Sequence, residues 1–232
     1  MKRCFIFDFI VRQPPHKMRL IMKKKVLMSL ILLAIIGTSA VFAQAPTLDK
    51  LRFTRNSNPV YYSVNAVNNR INGAVVIPTT YEGINVSQIG INAFDGNTGI
   101  TSVSIPNSVT VIQNNAFRGC TGLTSITIPA SVEIIYQNAF QNCTGLTSIN
   151  IPSSVHSINS SAFAGCTNLT SVTFNGTSYR NTTTNSFPGD LVAKHQAGGA
   201  GTYTRQAGSN TWTKQAGQIP CPHCGGTGFI SR

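Results

Sequence analysis

Apolar residues recur every 23 positions through the middle of this chain. Phe94, Phe117, Phe140 and Phe163 keep that step, each preceded by alanine at Ala93, Ala116, Ala139 and Ala162. Ile100, Leu123, Leu146 and Leu169 keep it too, as do Val86, Val109, Val132 and Val155, and then Ile89, Ile112, Ile135 and Ile158. A period of this length marks a repeat architecture, in which each copy is one supersecondary unit. In Leu123-Thr124-Ser125-Ile126-Thr127-Ile128-Pro129, Ile126 and Ile128 share one face of a strand and Thr127 takes the other. Pro129 lacks the N–H that a ladder needs and ends the strand; Pro106 and Pro152 do the same in neighbouring copies. Val132 and Ile135 carry the chain back across the far side. Asn138-Ala139-Phe140 then makes a tight helical turn that buries Phe140. One such coil cannot bury its own apolar face, but stacked coils cover one another at the ~4.8 Å spacing of paired strands. The pattern predicts a repeat protein, a β-solenoid over residues 75–175 with a parallel β-sheet face and short helical turns. Pro78 precedes Pro106 by 28 residues, so the first copy carries five additional residues around Tyr81-Glu82-Gly83.

A solenoid needs caps, because its end coils expose apolar surface. Residues 44–74 hold two strand-like runs, Leu51–Thr54 and Val60–Val64, and are expected to form an N-terminal cap. Residues 176–215 are expected to form the C-terminal cap. There Phe187–Lys194 reads as a short helix with proline near its start. Thr202–Thr204 and Thr211–Thr213 read as a hairpin across Gly208-Ser209-Asn210, and Trp212 closes the last coil.

The first 43 residues are of another kind. Lys23-Lys24-Lys25 precedes an apolar run beginning at Val26. Val41 and Ala43 then stand at the −3 and −1 positions of a cleavage site before Gln44, the order of a secretory signal peptide over residues 22–43. Residues 1–21 precede it and read as an extension from a misassigned start, with Met22 or Met18 opening an ordinary signal. The expected mature protein is exported to the periplasm, the cell surface or the medium, with no transmembrane segment after cleavage.

Charge adds an exclusion. The formal net charge is +12, but eight of the 18 basic residues lie in residues 1–43. The remainder holds 10 basic and 5 acidic side chains, a net +5, and they are scattered. No basic stripe exists to track a phosphate backbone, so nucleic acid is not an expected partner. Four histidines stand apart from any carboxylate pair or nucleophile motif, and no enzyme is expected.

The six cysteines fall into groups. Cys120, Cys143 and Cys166 form one column of the repeat, which Asn97 occupies in the first copy. They read as small buried hydrophobes, and the Asn as a side chain turned to loop backbone groups. Cys221 and Cys224 lie in Cys221-Pro222-His223-Cys224-Gly225-Gly226-Thr227-Gly228, in a tail over residues 216–232 that is too rich in Gly and Pro to order itself.

The unit Leu-x-x-Ile-x-Ile-Pro-x-x-Val-x-x-Ile-x-x-x-Ala-Phe-x-x-Cys resembles the BspA-type leucine-rich repeat of bacterial surface proteins, over roughly residues 71–175. Residues 201–214 also resemble the end of surface proteins in that family. The resemblance implies secretion or surface display, and adhesion to host proteins or other bacteria. The tail resembles one half of the zinc centre of DnaJ-type chaperones. Two thiolates make only half of a four-ligand site, so zinc at Cys221 and Cys224 would need a dimer or a complex. A tail disulfide, an inert knuckle and the redox motif of thiol oxidases are the other readings of the pair.

The candidate binding face is the outward, hydroxyl-rich side of the strand segments. Its outward positions are Thr101, Ser102, Ser104, Thr124, Ser125, Thr127, Thr147, Ser148, Asn150, Thr170, Ser171 and Thr173. Phe94, Phe117, Phe140, Phe163 and the Cys column are structural. The expected function is protein–protein interaction across the solenoid surface. A zinc-binding or thiol-redox role of the Cys-Pro-His-Cys tail is the alternative.

Overall fold

A computed structural model describes residues 50–57, 59–68, 71–177, 185–216, 219–220 and 229–230. The signal segment and the Cys221–Cys224 motif lie outside these residues. The repeats form a β-solenoid of about five turns, hydrogen-bonded from coil to coil along three sides.

The first side starts with β1 (Leu51–Ser57) and β2 (Val60–Ala66), an antiparallel pair. Parallel to β2 follow β5 (Ile84–Ile89), β7 (Val111–Ile112), β9 (Ile134–Ile135) and β11 (Ser157–Ile158). The second side carries β3 (Gly73–Val76), β6 (Ile100–Ser104) and β8 (Ser125–Thr127) in parallel, then the parallel pair β10 (Ser148–Ile151) and β12 (Ser171–Phe174). Val103, Ile126, Ile149 and Val172 point inward, as the alternation requires. The five additional residues of the first copy make a small hairpin, β4 (Thr80–Tyr81) against the start of β5.

The third side is a ladder of turns. Phe94, Phe117 and Phe140 each donate a backbone N–H to the alanine carbonyl of the next coil, at Ala116, Ala139 and Ala162, all at 2.7 Å. The expected helical turn is not a helix. Asn92, Asn115, Asn138 and Ser161 stand one residue before the alanine at φ of 53° to 58°, and this left-handed conformation stops a right-handed helix before it starts. Asparagine is the usual non-glycine choice there because its amide bonds locally. Asn115 Nδ2 donates to Asn92 Oδ1 (2.9 Å) and Asn138 Nδ2 to Asn115 Oδ1 (3.1 Å), so the same residues rivet coil to coil.

Inside, the 23-residue columns become stacks. The Phe94, Phe117, Phe140 and Phe163 rings lie 5.0–5.2 Å apart and within 9° of parallel. Phe187 adds a fifth ring at 4.6 Å from Phe163. It therefore belongs to the aromatic stack and not to the expected helix, which begins four residues later and spans Leu191–Gly198. Ser108, Ser131 and Ser154 each donate a hydroxyl to the carbonyl of the valine 22 residues earlier, at 2.7–2.8 Å. Gly122 and Gly145 sit where coils approach most closely: a Cβ would fall 2.3–2.4 Å from the carbonyl oxygen of Thr98 or Thr121.

The C-terminal end is closed by reversal of direction. β13 (Gly201–Thr204) runs antiparallel to β12, and β14 (Thr213–Lys214) antiparallel to β13, the expected hairpin. Trp212 is buried beneath it, its Nε1 donating to Pro188 O at 2.8 Å and its backbone N–H to Asp190 Oδ1 at 2.8 Å. Beyond it, β15 (Ile219–Pro220) pairs antiparallel with β16 (Phe229–Ile230).

Candidate functional site

Register on the second side aligns outward residues of neighbouring strands. Ser102 aligns with Ser125 and Ser104 with Thr127; Ser148 aligns with Ser171 and Asn150 with Thr173. Thr101, Ser104, Thr124, Ser125, Thr127, Thr147, Ser148 and Asn150 are exposed, and Ser102, Thr170, Ser171 and Thr173 are half-buried. β13 accounts for the shading at the far end: it pairs with β12, and Thr202 Oγ1 lies 2.9 Å from Thr173 Oγ1. Part of the face is spent on the stack itself. Thr124 Oγ1 donates to Thr101 O (3.2 Å) and Thr170 Oγ1 to Thr147 O (3.3 Å), so those hydroxyls are held and their methyls remain to face solvent. The Thr124 and Thr170 hydroxyls thus serve the stacking of coils.

The Cys column is buried and hydrogen-bonded. Cys120 Sγ donates to Phe94 O (3.1 Å), Cys143 Sγ to Phe117 O (3.0 Å) and Cys166 Sγ to Phe140 O (3.1 Å). Asn97 does the same work one coil earlier. In the amide orientation that satisfies both groups, its Nδ2 donates to Ile71 O at 2.8 Å and its Oδ1 accepts from Ile71 N–H at 3.3 Å. Burial pushes the Cys120 and Cys166 thiols up to about 12 and raises that of Cys143 as well. Burial of this kind favours the neutral thiol over the reactive thiolate.

Two polar features escaped the sequence reading. Arg118 makes a two-pronged ion pair with Asp95 one coil away, Nε to Oδ1 at 2.8 Å and Nη2 to Oδ2 at 2.7 Å. The two lie 23 residues apart, so opposite charges in one column were the available signal. Arg205 is nearly buried and closes the Cys end of the stack. Its Nε donates to Leu169 O (2.7 Å) and its Nη2 to Cys166 O (2.9 Å) and Thr167 O (3.3 Å), while Nη1 reaches Ser209 O. The guanidinium lies 4.9 Å from the centre of the Trp212 ring. Burial lowers its pKa from the usual arginine value, with the Cys166 side chain working the other way. No signal at the sequence level marked this lone arginine between two hairpin strands.

His195 packs on Phe174 with ring centres 4.2 Å apart, and its Nε2 lies 3.2 Å from Gly176 O. Burial lowers its pKa, with the Gly176 carbonyl working the other way. An imidazole that resists protonation when folded takes up a proton more readily when unfolded, so stability falls as pH drops below the ordinary histidine value. The melting temperature should therefore decline between pH 7.5 and 5.5, and His195→Gln should decline less over the same range. Parallel declines in a thermal scan would show that His195 is not the group responsible.

Among the described residues no cluster of three His, Cys, Asp or Glu side chains could hold a metal ion, and no helix is long and apolar enough to cross a membrane. Cys221 and Cys224 fall outside those residues. β15 and β16, which flank them in the sequence, pair with each other.

Comparison with known proteins agrees with the repeat. Residues 83–190 match the BspA type leucine rich repeat region in six copies. Among solved structures, a leucine-rich repeat protein of T. pallidum is 28% identical with a TM-score of 0.49, the match covering 53% of this chain and 56% of that one. One from Bacteroides ovatus is 30% identical with a TM-score of 0.40, covering 53% and 39%. One from Bacteroides capillosus is 25% identical with a TM-score of 0.47, covering 55% and 95%. This chain thus spans about half or less of the length of the first two. No curated protein matches.

Proposed function

We propose that this protein, whose residues 83–190 match the BspA type leucine rich repeat region, is exported and uses its solenoid surface to bind another protein, in adhesion to a host or bacterial surface. One observation carries the reading. Ser104, Ser125, Thr127, Ser148 and Asn150, which alternate with the buried Val103, Ile126 and Ile149, are exposed, and the strands that carry them are held by ladders on three sides of the stack. A surface fixed in this way binds with little ordering cost, which is how a chemically plain face reaches useful affinity. It lacks the Tyr, Trp and Arg of a concentrated hot spot, so binding there is spread over many small contacts.

Export rests on the signal pattern around Val26–Ala43. Sequencing the N-terminus of the mature protein should find Gln44 or a neighbour within a few residues. An uncleaved protein recovered from the cytoplasm would remove localisation from the proposal.

The zinc or thiol reading of the tail has one observation in its favour, the pairing of β15 with β16 around the Cys-Pro-His-Cys segment. A screen of extracellular-matrix and cell-surface proteins separates the two. Ser125→Arg with Ser148→Arg should abolish capture, and Cys221→Ser with Cys224→Ser should leave it intact. The reverse pattern would transfer the function to the tail.

A further inference from the structure

The sheet face is not the only surface on which a partner could add. β1 is the outermost strand of the first side, and among the described residues nothing pairs with its outer edge. Neighbouring bonds fix which of its groups point outward. Ala66 N–H is taken by Ala93 O (2.7 Å), and Val64 O accepts from Gly90 N–H (2.9 Å), both away from β1. Val67 N–H donates back to Lys50 O at 2.8 Å. In an antiparallel ladder the two orientations alternate. The even-numbered residues of β1 therefore bond to β2, and Leu51, Phe53, Arg55 and Ser57 turn their N–H and C=O groups to the open edge.

The edge is long and charged with one sign. β1 has seven residues, where the terminal strand at the other end, β14, has two. Lys50, Arg52 and Arg55 are exposed. The ion pairs found among the described residues are Arg118–Asp95 and Lys194–Asp190, so none of these three cations is neutralised by one of them. Glu82 is engaged by Tyr62, whose hydroxyl donates to it at 2.9 Å. Beside the cations lies a firm apolar floor. Phe53 is half-buried and stacks on Tyr81 at 4.1 Å and 10°, and Tyr62 meets Tyr81 edge-on at 5.2 Å. Tyr and Arg are the residue types that concentrate binding energy, and the sheet face has neither.

We propose that the open edge of β1 is a docking strand for an extended acidic segment of a partner protein, which adds to it as a further β-strand. Backbone groups of Phe53 and Arg55 supply the ladder, and Lys50, Arg52 and Arg55 select the charge. Cations on an exposed edge ordinarily repel unwanted strands. On β1 they do so selectively, repelling basic segments and drawing acidic ones. An anionic lipid surface would satisfy the cations but not the directed N–H and C=O groups, so the geometry favours a peptide. The proposal rests on the reading of this protein as an interaction protein but moves the contact to the N-terminal cap.

The test uses the full chain and a soluble octapeptide of valine and glutamate in equal numbers, with its valine–lysine counterpart as control. At low salt the acidic peptide should bind about ten-fold or more tightly than the basic one, and should weaken as salt is raised. Hydrogen exchange should slow at the Phe53 and Arg55 amides on binding. Arg52→Glu with Arg55→Glu should abolish binding. Arg55→Gln removes only the charge, whereas Arg55→Pro also removes the outward N–H and leaves the β1–β2 bonds in place. The proline variant should therefore bind about ten-fold more weakly than the glutamine variant, with circular dichroism confirming that it folds. Equal binding by those two variants, binding without protection of the two amides, or binding to phosphatidylglycerol vesicles but not to the peptide would each overturn the proposal. Ser125→Arg should leave peptide binding unchanged, so failure of the sheet-face reading and failure of the edge proposal give different results.

Discussion

Replacing Phe140 by alanine is expected to cost about 3–5 kcal/mol, the range for truncating a large buried aromatic. Phe140 is fully buried and stacks on two neighbours, Phe117 at 5.2 Å and Phe163 at 5.0 Å. Its loss opens a cavity in the middle of a five-ring column, where neither adjacent coil can close the gap without breaking the Phe117–Ala139 or Phe140–Ala162 backbone bonds. In a chain of this size the melting temperature should fall by roughly 10 °C. Thr124→Ala is the control. Thr124 is exposed and makes one side-chain bond, to Thr101 O, so its loss should cost at most about 1 kcal/mol. Comparable shifts for the two in a melting experiment would refute the inward and outward assignment of the whole repeat.

Arg205→Leu should be about as damaging, by a different route. Leucine fills part of the space but leaves the Cys166 and Leu169 carbonyls, and the weaker Thr167 and Ser209 contacts, without a donor. An unsatisfied buried acceptor costs about 1–3 kcal/mol, so losing the two best bonds alone predicts a loss of about 3 kcal/mol. Arg205→Lys discriminates between charge and shape. An ammonium is compact and cannot span carbonyls on both sides of the hairpin, so lysine should recover only a minor part of the stability in urea unfolding. Full recovery would mean that the fork geometry is unimportant. Hydrogen exchange should accelerate first in the last coil, around Leu169 and Val172, because that is where the bonds are lost.

What could be read from the sequence divides along a physical line. The coil was legible because its apolar columns, Val86 to Val155 and Phe94 to Phe163, repeat without a gap, and four copies in phase determine inside and outside. The alternation that places Ser125 and Thr127 outward follows from strand geometry alone. The turn at Asn138-Ala139-Phe140 was misread as helical because an alanine beside an aromatic suggests helix; the asparagine before it was the better guide, since its left-handed φ decides the conformation. Phe187 was missed because the stretch after Phe174 breaks the step. It arrives 24 residues after Phe163, with Ser186 where alanine is expected, yet Phe163 N–H still bonds to Ser186 O at 2.7 Å. Arg205 was illegible for a deeper reason. It belongs to no column, and its role depends on where a reversed hairpin brings it. The same holds for the open edge of β1, since an unpaired edge is a property of the assembled sheet and not of any residue in it.

The reversal at β13 has a consequence for how such a molecule can change size. β12 still runs parallel to β10, but β13 opposes β12, and the Arg205 backbone N–H takes Thr170 O at 3.0 Å, the acceptor that corresponds to the Thr101 and Thr147 carbonyls bonded by following coils. The second side therefore offers no further parallel strand at that end. Duplication within the stack meets no such reversal, since a 23-residue insert finds matched asparagine, phenylalanine and cysteine columns above and below. The terminal pieces then stay constant while the interior counts, and each added copy separates them by one strand spacing of about 4.8 Å. The fold works as a ruler graduated from the inside.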